Sequence, residues 1–250
     1  MPTSQQLSTG QLVSLPLEVT FTLGGVTVLA RRRALEAQLP APLSPLAVAP
    51  GLGLVSIVGI QYHRVSGPRT PAGGEATEST PTGFEPYNEF AVIIPAVRAA
   101  KTDVPYAQLA GAEIGGFVHW LPVTTEASVA LGRELWGYPK ERAEITITDG
   151  PTGVRTTIGD CHLEVGHARR CPRSWRMYSY TIADDRLLRT TVKITGAIGI
   201  GTGRRARLEG LSTQPELAAL GRLSRPLTRL YGTRVQAQLE AGVPVARRRS

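Results

Sequence analysis

Apolar and polar positions alternate with a period of two along most of this chain, the pattern of strands with one buried face. The alternation runs through residues 17–30 (LEVTFTLGGVTVLA), where Gly24-Gly25 predicts a hairpin or a bend. Residues 53–65 (GLVSIVGIQYHRV) and 89–97 (EFAVIIPAV) are apolar, β-branched runs, and 115–123, 143–149 and 152–165 continue the series. WRMYSYTI, LLRTTVKITGAIGI and TRVQAQLEAGV add further strands. Helical periodicity is confined to three places. Residues 30–39 (ARRRALEAQL) stop at Pro40. Residues 124–135 (TTEASVALGREL) have Thr124 or Thr125 as N-cap, Glu126 in the first turn, and Gly137 with Pro139 as a stop. Residues 215–232 place Leu217, Leu220, Leu223, Leu227 and Leu230 on one face, with Pro226 predicting a kink. Short, closely spaced strands joined by Gly, Pro and Asp turns predict an α+β, mostly β fold: an antiparallel sheet that curls on itself or packs in two layers.

No internal repeat and no linker divides the pattern, so residues 15–245 are expected to form one domain. A loose leader over 1–14 and a basic tail over 246–250 flank it. Residues 66–82, rich in Gly, Pro, Ser and Thr, predict a surface loop inside that domain. No apolar run reaches the roughly 18 residues that span a bilayer, and the polar first residues do not resemble a signal peptide, so a cytoplasmic protein without membrane partners is expected.

Composition changes this picture at two points. Net charge is +8, and 25 of the 28 basic residues are arginine. The runs Arg31–Arg33, Arg169-Arg170, Arg204-Arg205 with Arg207, and Arg247–Arg249 are scattered and carry no base-stacking aromatic motif. They fit a solvated surface, and no specific nucleic acid is expected. Cys161 and Cys171, with His162 and His167, match no common zinc spacing, and Cys161 and His162 fall on opposite faces of one strand. No metal is expected. The glycines of residues 197–203 lack the GxGxxG spacing of a phosphate loop and fit close strand packing.

The second point is lysine, of which the chain has three. Lys140 follows Trp136, Gly137, Tyr138 and Pro139 at the end of the 124–135 helix. Bulky neighbours there can exclude water. Burial disfavours an ammonium, and a neutral amine is a nucleophile toward ketones and aldehydes. The competing reading is a strand-edge lysine whose stem packs while its head reaches solvent.

Residues 125–140, TEASVALGRELWGYPK, resemble the signature of the acetoacetate decarboxylase family: Gly-Arg-Glu, then an aromatic-Pro-Lys whose lysine forms a Schiff base with a β-keto acid. The resemblance implies that Lys140 is the Schiff-base lysine, framed by Gly132, Arg133, Glu134, Tyr138 and Pro139. Acetoacetate decarboxylase is itself the standing example of a lysine activated by desolvation or a neighbouring cation. Residues 85–96, EPYNEFAVIIPA, are similar to the family's Tyr-x-Glu segment, which implies Tyr87 in the pocket and Glu89 as acid/base. Weaker similarity extends over most of the chain. The implied fold is a curved antiparallel sheet closing into a cone-like barrel with a few peripheral helices, assembling as a homo-oligomer. The implied activity is that of a carbon–carbon lyase acting on a small keto acid, with no cofactor beyond the imine on Lys140. His119, Trp120, Trp136 and Arg133 complete the expected pocket. Glu89 has a second reading, as a structural carboxylate paired with Arg133.

Three departures bear on the reaction. The family follows the lysine with a second lysine, and here Glu141 stands there. If Lys140 opens a strand, Glu141 points to the other face. The family's pocket arginine has no counterpart in VTFTLGGV, and its second glutamate aligns with Val58. An aldolase or dehydratase of the same superfamily, or a keto-acid-binding relative without turnover, therefore competes with a decarboxylase.

Overall fold

The structure, a computed structural model, describes residues 3–66, 84–105, 107–110 and 112–247. The predicted loop at 66–82 and the end of the basic tail lie almost wholly outside these. Seven long strands close into a barrel: β1 (Leu17–Arg31), β2 (Leu52–Ser66), β3 (Tyr87–Arg98), β4 (Glu113–Val123), β5 (Arg170–Ala183), β6 (Arg186–Thr202) and β7 (Thr228–Leu239). Each strand lies beside its neighbours in sequence, and β7 returns to β1.

Seven is odd, and this has a consequence. Antiparallel neighbours alternate in direction, so a closed ring of seven must contain one parallel pair. That pair is β4 and β5. Parallel neighbours need a crossover of a dozen or more residues, and residues 124–169 supply it. They hold a helix (Glu126–Trp136), a short strand (Lys140–Arg142) and three strands of a second sheet. The parallel junction is minimal: Gly116 faces Ser179 and Phe117 faces Tyr180. Farther along, the edge of β4 is taken by Lys140–Arg142, with Leu121 opposite Lys140 and Val123 opposite Arg142. The barrel is thus split at one seam, and the strand that opens with Lys140 is set into the split.

The second sheet is Ile145–Gly150, Gly153–Ile158, Cys161–Gly166 and Ala206–Glu209. It explains a difference from the sequence reading. Gly24 and Gly25 make no hairpin, because β1 runs straight through them. An added Cβ at Gly24 would lie 2.7 Å from Val154 Cβ, and one at Gly25 would lie 3.0 Å from Val58 Cγ2. Gly24 lets the second sheet approach the backbone, and Gly25 makes room for Val58 of the neighbouring strand on the inside of the barrel. Residues 152–165 are two strands, since Gly159 turns the chain with φ +51°. The long helix expected at 215–232 is only Pro215–Ala218, after which Thr228–Gly232 pair with β1. Gly199 and Gly201 lie in β6, where Gly199 faces Ala168, and Gly203, just past the end of that strand, faces Pro226 at backbone distance.

Two apolar clusters occupy opposite faces of the strands. On β3 the alternation sends Tyr87 and Ala91 one way, and Phe90, Val92 and Ile94 the other. The first cluster receives side chains from all seven strands, among them Leu17, Val58, Ala91, Val118, Trp175, Ile198 and Val235, and so is the inside of the barrel. The other lies between the barrel wall and the second sheet, around Ile57, Phe90, Trp120, Ile147 and Leu163. The expected loose leader is a hairpin, Thr3–Gln6 with Leu12–Leu15, whose Leu7 and Val13 join the inside cluster. Burying two aliphatic side chains stabilises it by about 3 kcal/mol or more.

Candidate active site

The site is built by the helix Glu126–Trp136 and the turn that follows it. Thr125 caps the helix, its hydroxyl accepting from Ser128 N–H at 3.3 Å. Gly137 ends it in the left-handed region at φ +62°, and its N–H returns to the Arg133 carbonyl. Lys140 N–H donates to the Tyr138 carbonyl at 2.7 Å, closing a three-residue turn about Pro139, whose ring presets φ. The turn is fastened across the seam to β5. Thr181 donates to the Trp136 carbonyl at 2.6 Å, and the Tyr138 hydroxyl meets Ser179 Oγ at 2.8 Å.

Lys140 is buried, its side chain 6% exposed. Nζ lies 2.8 Å from Oε2 of Glu89, which is equally buried. Nζ also stands 5.3 Å from the centre of the Tyr87 ring. The stem of Lys140 runs over Gly132, where an added Cβ would lie 2.4 Å from Lys140 Cδ. Glycine in a helix costs about 1 kcal/mol relative to alanine, and here it clears a lane for the lysine. Oε1 of Glu89 accepts from the Tyr62 hydroxyl at 3.2 Å. Tyr62 stacks on Tyr87 at 4.5 Å and tilts against Phe21 at 5.6 Å. Burial, with Glu89 adding to it, holds the phenols of Tyr62 and Tyr87 well above the ordinary tyrosine range. Burial likewise pushes Tyr138 up to about 12, against the opposing bond to Ser179. Around the Lys140–Glu89 pair, the site therefore holds three phenols that keep their protons.

Glu141 does not face Lys140. Its Oε1 accepts from Trp120 Nε1 at 2.5 Å on the outer face. Alternation along the strand that Lys140 opens turns Glu141 outward, and a bulge in β4 puts Trp120 on the same side: Val92 is opposite Trp120 while Ile93 is opposite Val118, leaving His119 as the extra residue. The bulge turns Trp120 toward the second sheet, while Val118 and Leu121 stay inside. Trp120 thus packs behind the site wall, edge-on to Phe90. His119 Nε2 meets the Glu216 carbonyl at 2.9 Å, away from Lys140. Arg133 is exposed and donates to the Lys140 carbonyl at 2.6 Å, so it holds the strand and does not pair with Glu89. Glu134 accepts from Ser8 N–H at 3.1 Å and anchors the N-terminal hairpin. Trp136 is buried beside Tyr138, its Nε1 donating to the Glu240 carbonyl. Of the residues singled out from sequence, Lys140, Glu89, Tyr87 and Tyr138 come together on the inside. Val58 also faces inside.

Tyr62, Ser179 and Thr181 escaped the sequence reading. Tyr62 shares the inward parity of Val58 and Ile60, which alternation does reveal. That it meets Glu89 depends on the register of β2 with β3, in which Tyr62 is opposite Tyr87. Two surface concavities lie elsewhere. One of about 780 Å³ is lined by residues of the second sheet and by Arg204, Arg205 and Arg207, and one of about 530 Å³ by Thr20, His63, Asp149 and Arg234. Neither contains a lysine. Among the described residues no cluster of His, Cys, Asp and Glu could hold a metal, and no helix is long and apolar enough to cross a membrane.

Comparison with known proteins agrees with this geometry. The family model described as acetoacetate decarboxylase (ADC) matches residues 1–168. Acetoacetate decarboxylase 3 of Mesorhizobium japonicum is 31% identical over 157 residues, a match covering 57% of this chain and 47% of that relative. The match thus spans about half the length of the curated relative. Among solved structures, acetoacetate decarboxylase from Legionella pneumophila superposes with a TM-score of 0.61 at 16% identity, covering 92% of this chain and 87% of that one. The enduracididine biosynthesis enzyme MppR, complexed with the condensation product of pyruvate and imidazole 4-carboxaldehyde, superposes with a TM-score of 0.59 at 14% identity, covering 98% and 97%. At such identities these superpositions speak for the fold, and the family model carries the relationship: the chain belongs to the acetoacetate decarboxylase family.

Proposed function

We propose that this protein is a Schiff-base-forming lyase acting on a small β-keto acid or related carbonyl compound, with Lys140 as nucleophile and Glu89 as acid/base. The observation that carries the reading is the buried pair on the inside of the barrel, Nζ to Oε2 at 2.8 Å. The pair holds the protons that imine formation needs. Transfer of one proton from the Lys140 ammonium to Glu89 gives a neutral amine and a neutral carboxyl. The amine nitrogen attacks the carbonyl carbon, and a proton passes from nitrogen to the new oxyanion, giving a carbinolamine. Glu89 returns its proton to that hydroxyl, the C–O bond breaks, and water leaves. The result is a protonated imine on Lys140 facing a Glu89 carboxylate, so the charge balance of the resting pair is kept. That balance matters, because an unpaired charge in a dry site is costly. The iminium then accepts the electron pair released when a C–C bond to the adjacent carbon breaks, and the enamine carbon takes up a proton from solvent, relayed through the Glu89 carboxylate.

The competing reading within the family is aldol or dehydration chemistry. Val58 in place of the second acid favours it, as does a β1 strand with no arginine before Arg31. The MppR structure, with its bound condensation product, makes such chemistry a precedent on this fold.

Borohydride trapping tests the proposal. The protein is incubated separately with acetoacetate, acetylacetone and pyruvate, then reduced and its peptides weighed. A reduced adduct on the peptide holding Lys140, absent from Lys140→Ala, is expected. Carbon dioxide released from acetoacetate identifies a decarboxylase, and an adduct without it favours the aldol reading. An undiminished adduct in Lys140→Ala would sink the assignment of the nucleophile.

A further inference from the structure

Glu89 has two oxygens, and the structure treats them differently. Oε2 faces Lys140 Nζ at 2.8 Å and has no further hydrogen-bond partner among the described residues. Oε1 is met by the Tyr62 hydroxyl at 3.2 Å. Tyr62 is held from two sides, stacked on Tyr87 at 4.5 Å and packed against Phe21 at 5.6 Å. Its hydroxyl is therefore aimed by ring packing rather than by solvent. It comes from β2, four residues beyond Val58 and on the same inward face.

We infer that Tyr62 is a positioning residue for the imine chemistry: by donating to Oε1 of Glu89, it commits the mobile proton to Oε2, the oxygen that faces Lys140. The inference rests on the Lys140 reading above. The physical argument is short. A carboxyl that takes up a proton can carry it on either oxygen. A donor fixed on one oxygen makes that oxygen an acceptor and leaves the proton to the other. The phenol keeps its proton because it is buried beside Glu89, so it remains a donor in every state of the cycle. In the carbinolamine step the proton must leave from the oxygen nearest the substrate, and Oε2 is that oxygen. The hydroxyl also supports the carboxylate when it faces the iminium. A single phenol thus takes over the support that an apolar Val58 cannot give.

The test is a double-mutant cycle on the rate of borohydride-trappable imine, using acetylacetone as probe. In Tyr62→Phe the ring and its stacking remain, so the thermal midpoint should stay close to that of the wild-type chain. The maximal trapping rate should fall by about tenfold, the size of effect expected when a hydrogen bond to an ionised group is lost. The half-saturating probe concentration should change by less than about twofold, since the hydroxyl acts on the carboxyl and not on the carbonyl compound. Glu89→Gln should be slower still, and Tyr62→Phe added to it should have no further effect. A Tyr62→Phe variant that traps at the wild-type rate would overturn the inference, as would a loss that multiplies with that of Glu89→Gln. Both outcomes leave the imine reading intact. Absence of any Lys140 adduct in the wild-type chain removes that reading, and this inference with it.

Discussion

The chemistry proposed for this protein turns on where one nitrogen sits, and a hydrogen atom decides that. Gly132 has no side chain, and the Lys140 stem fills the space a Cβ would take, 2.4 Å from Cδ. Alanine there adds a methyl group against a flexible chain, so the lysine should shift rather than the fold break. Since alanine is the better helix former by about 1 kcal/mol, Gly132→Ala is expected to keep or raise the thermal midpoint. Its imine trapping should fall by about tenfold or more, because an ångström of displacement at the nucleophile is costly. A variant that traps at the wild-type rate would show that the lane over Gly132 is not needed. The sequence exposed the residues of this arrangement, through the rarity of lysine and the aromatic-Pro-Lys run. It left open where Glu141 points, because strand parity settles that only once Lys140 is known to open a strand.

At the scale of elements, the helix, turn and short strand form one unit clamped to β5. Its start and stop were legible because caps are local: Thr125 sits before the first turn, and Gly137 supplies the left-handed residue. The clamp was not legible, since Ser179 and Thr181 lie some forty residues away in a strand whose register no local signal fixes. Thr181→Val removes the donor to the buried Trp136 carbonyl while keeping the branched shape. Leaving that acceptor unpaired should cost about 1–3 kcal/mol, read as a lower urea midpoint. Trapping should slow as well, because the turn carrying Lys140 loses its anchor. Unchanged stability would place the turn's support elsewhere. The segment 215–232 shows the opposite failure of locality. Its leucine spacing satisfies a helix, yet Thr228–Gly232 are drawn into the sheet by pairing with β1, and tertiary pairing outweighs periodicity.

For the whole molecule, the problem is closing a barrel of seven. The parallel pair β4–β5 is held by two residue pairs only, so something else must bind the seam. Glu113 of β4 does so. It accepts from Arg98 of β3 at 2.9 Å, from Tyr180 of β5, and from Arg189 of β6. Partial burial alone would raise the Glu113 carboxyl, but the bonds from Arg98, Tyr180 and Arg189 outweigh it and hold it below its ordinary value of 4.5. The sign of the linkage follows. A group depressed in the folded state contributes stability above its unfolded value, and that contribution is lost as pH falls through the folded one. Urea unfolding at pH 7 and near pH 3 should show the wild-type chain losing more stability than Glu113→Gln, with the two curves converging in acid. Parallel losses would mean that Glu113 is not the acid-sensitive clamp.

By itself the sequence determined the local matters: a mostly β chain, the capped helix before Lys140, and the two blocks that carry Lys140 and Glu89. These rest on interactions within a few residues, or on residue types with few alternatives. The tertiary structure decided the rest. It ran the chain straight through Gly24 and Gly25, making Gly24 a landing place for a second sheet. It buried the N-terminal hairpin, sent Trp120 to the outer face through a bulge at His119, where it meets Glu141, and brought Tyr62 to Glu89. Each depends on strand register and barrel closure, which are set by which distant faces bury together, and a one-residue slip would reverse every side chain.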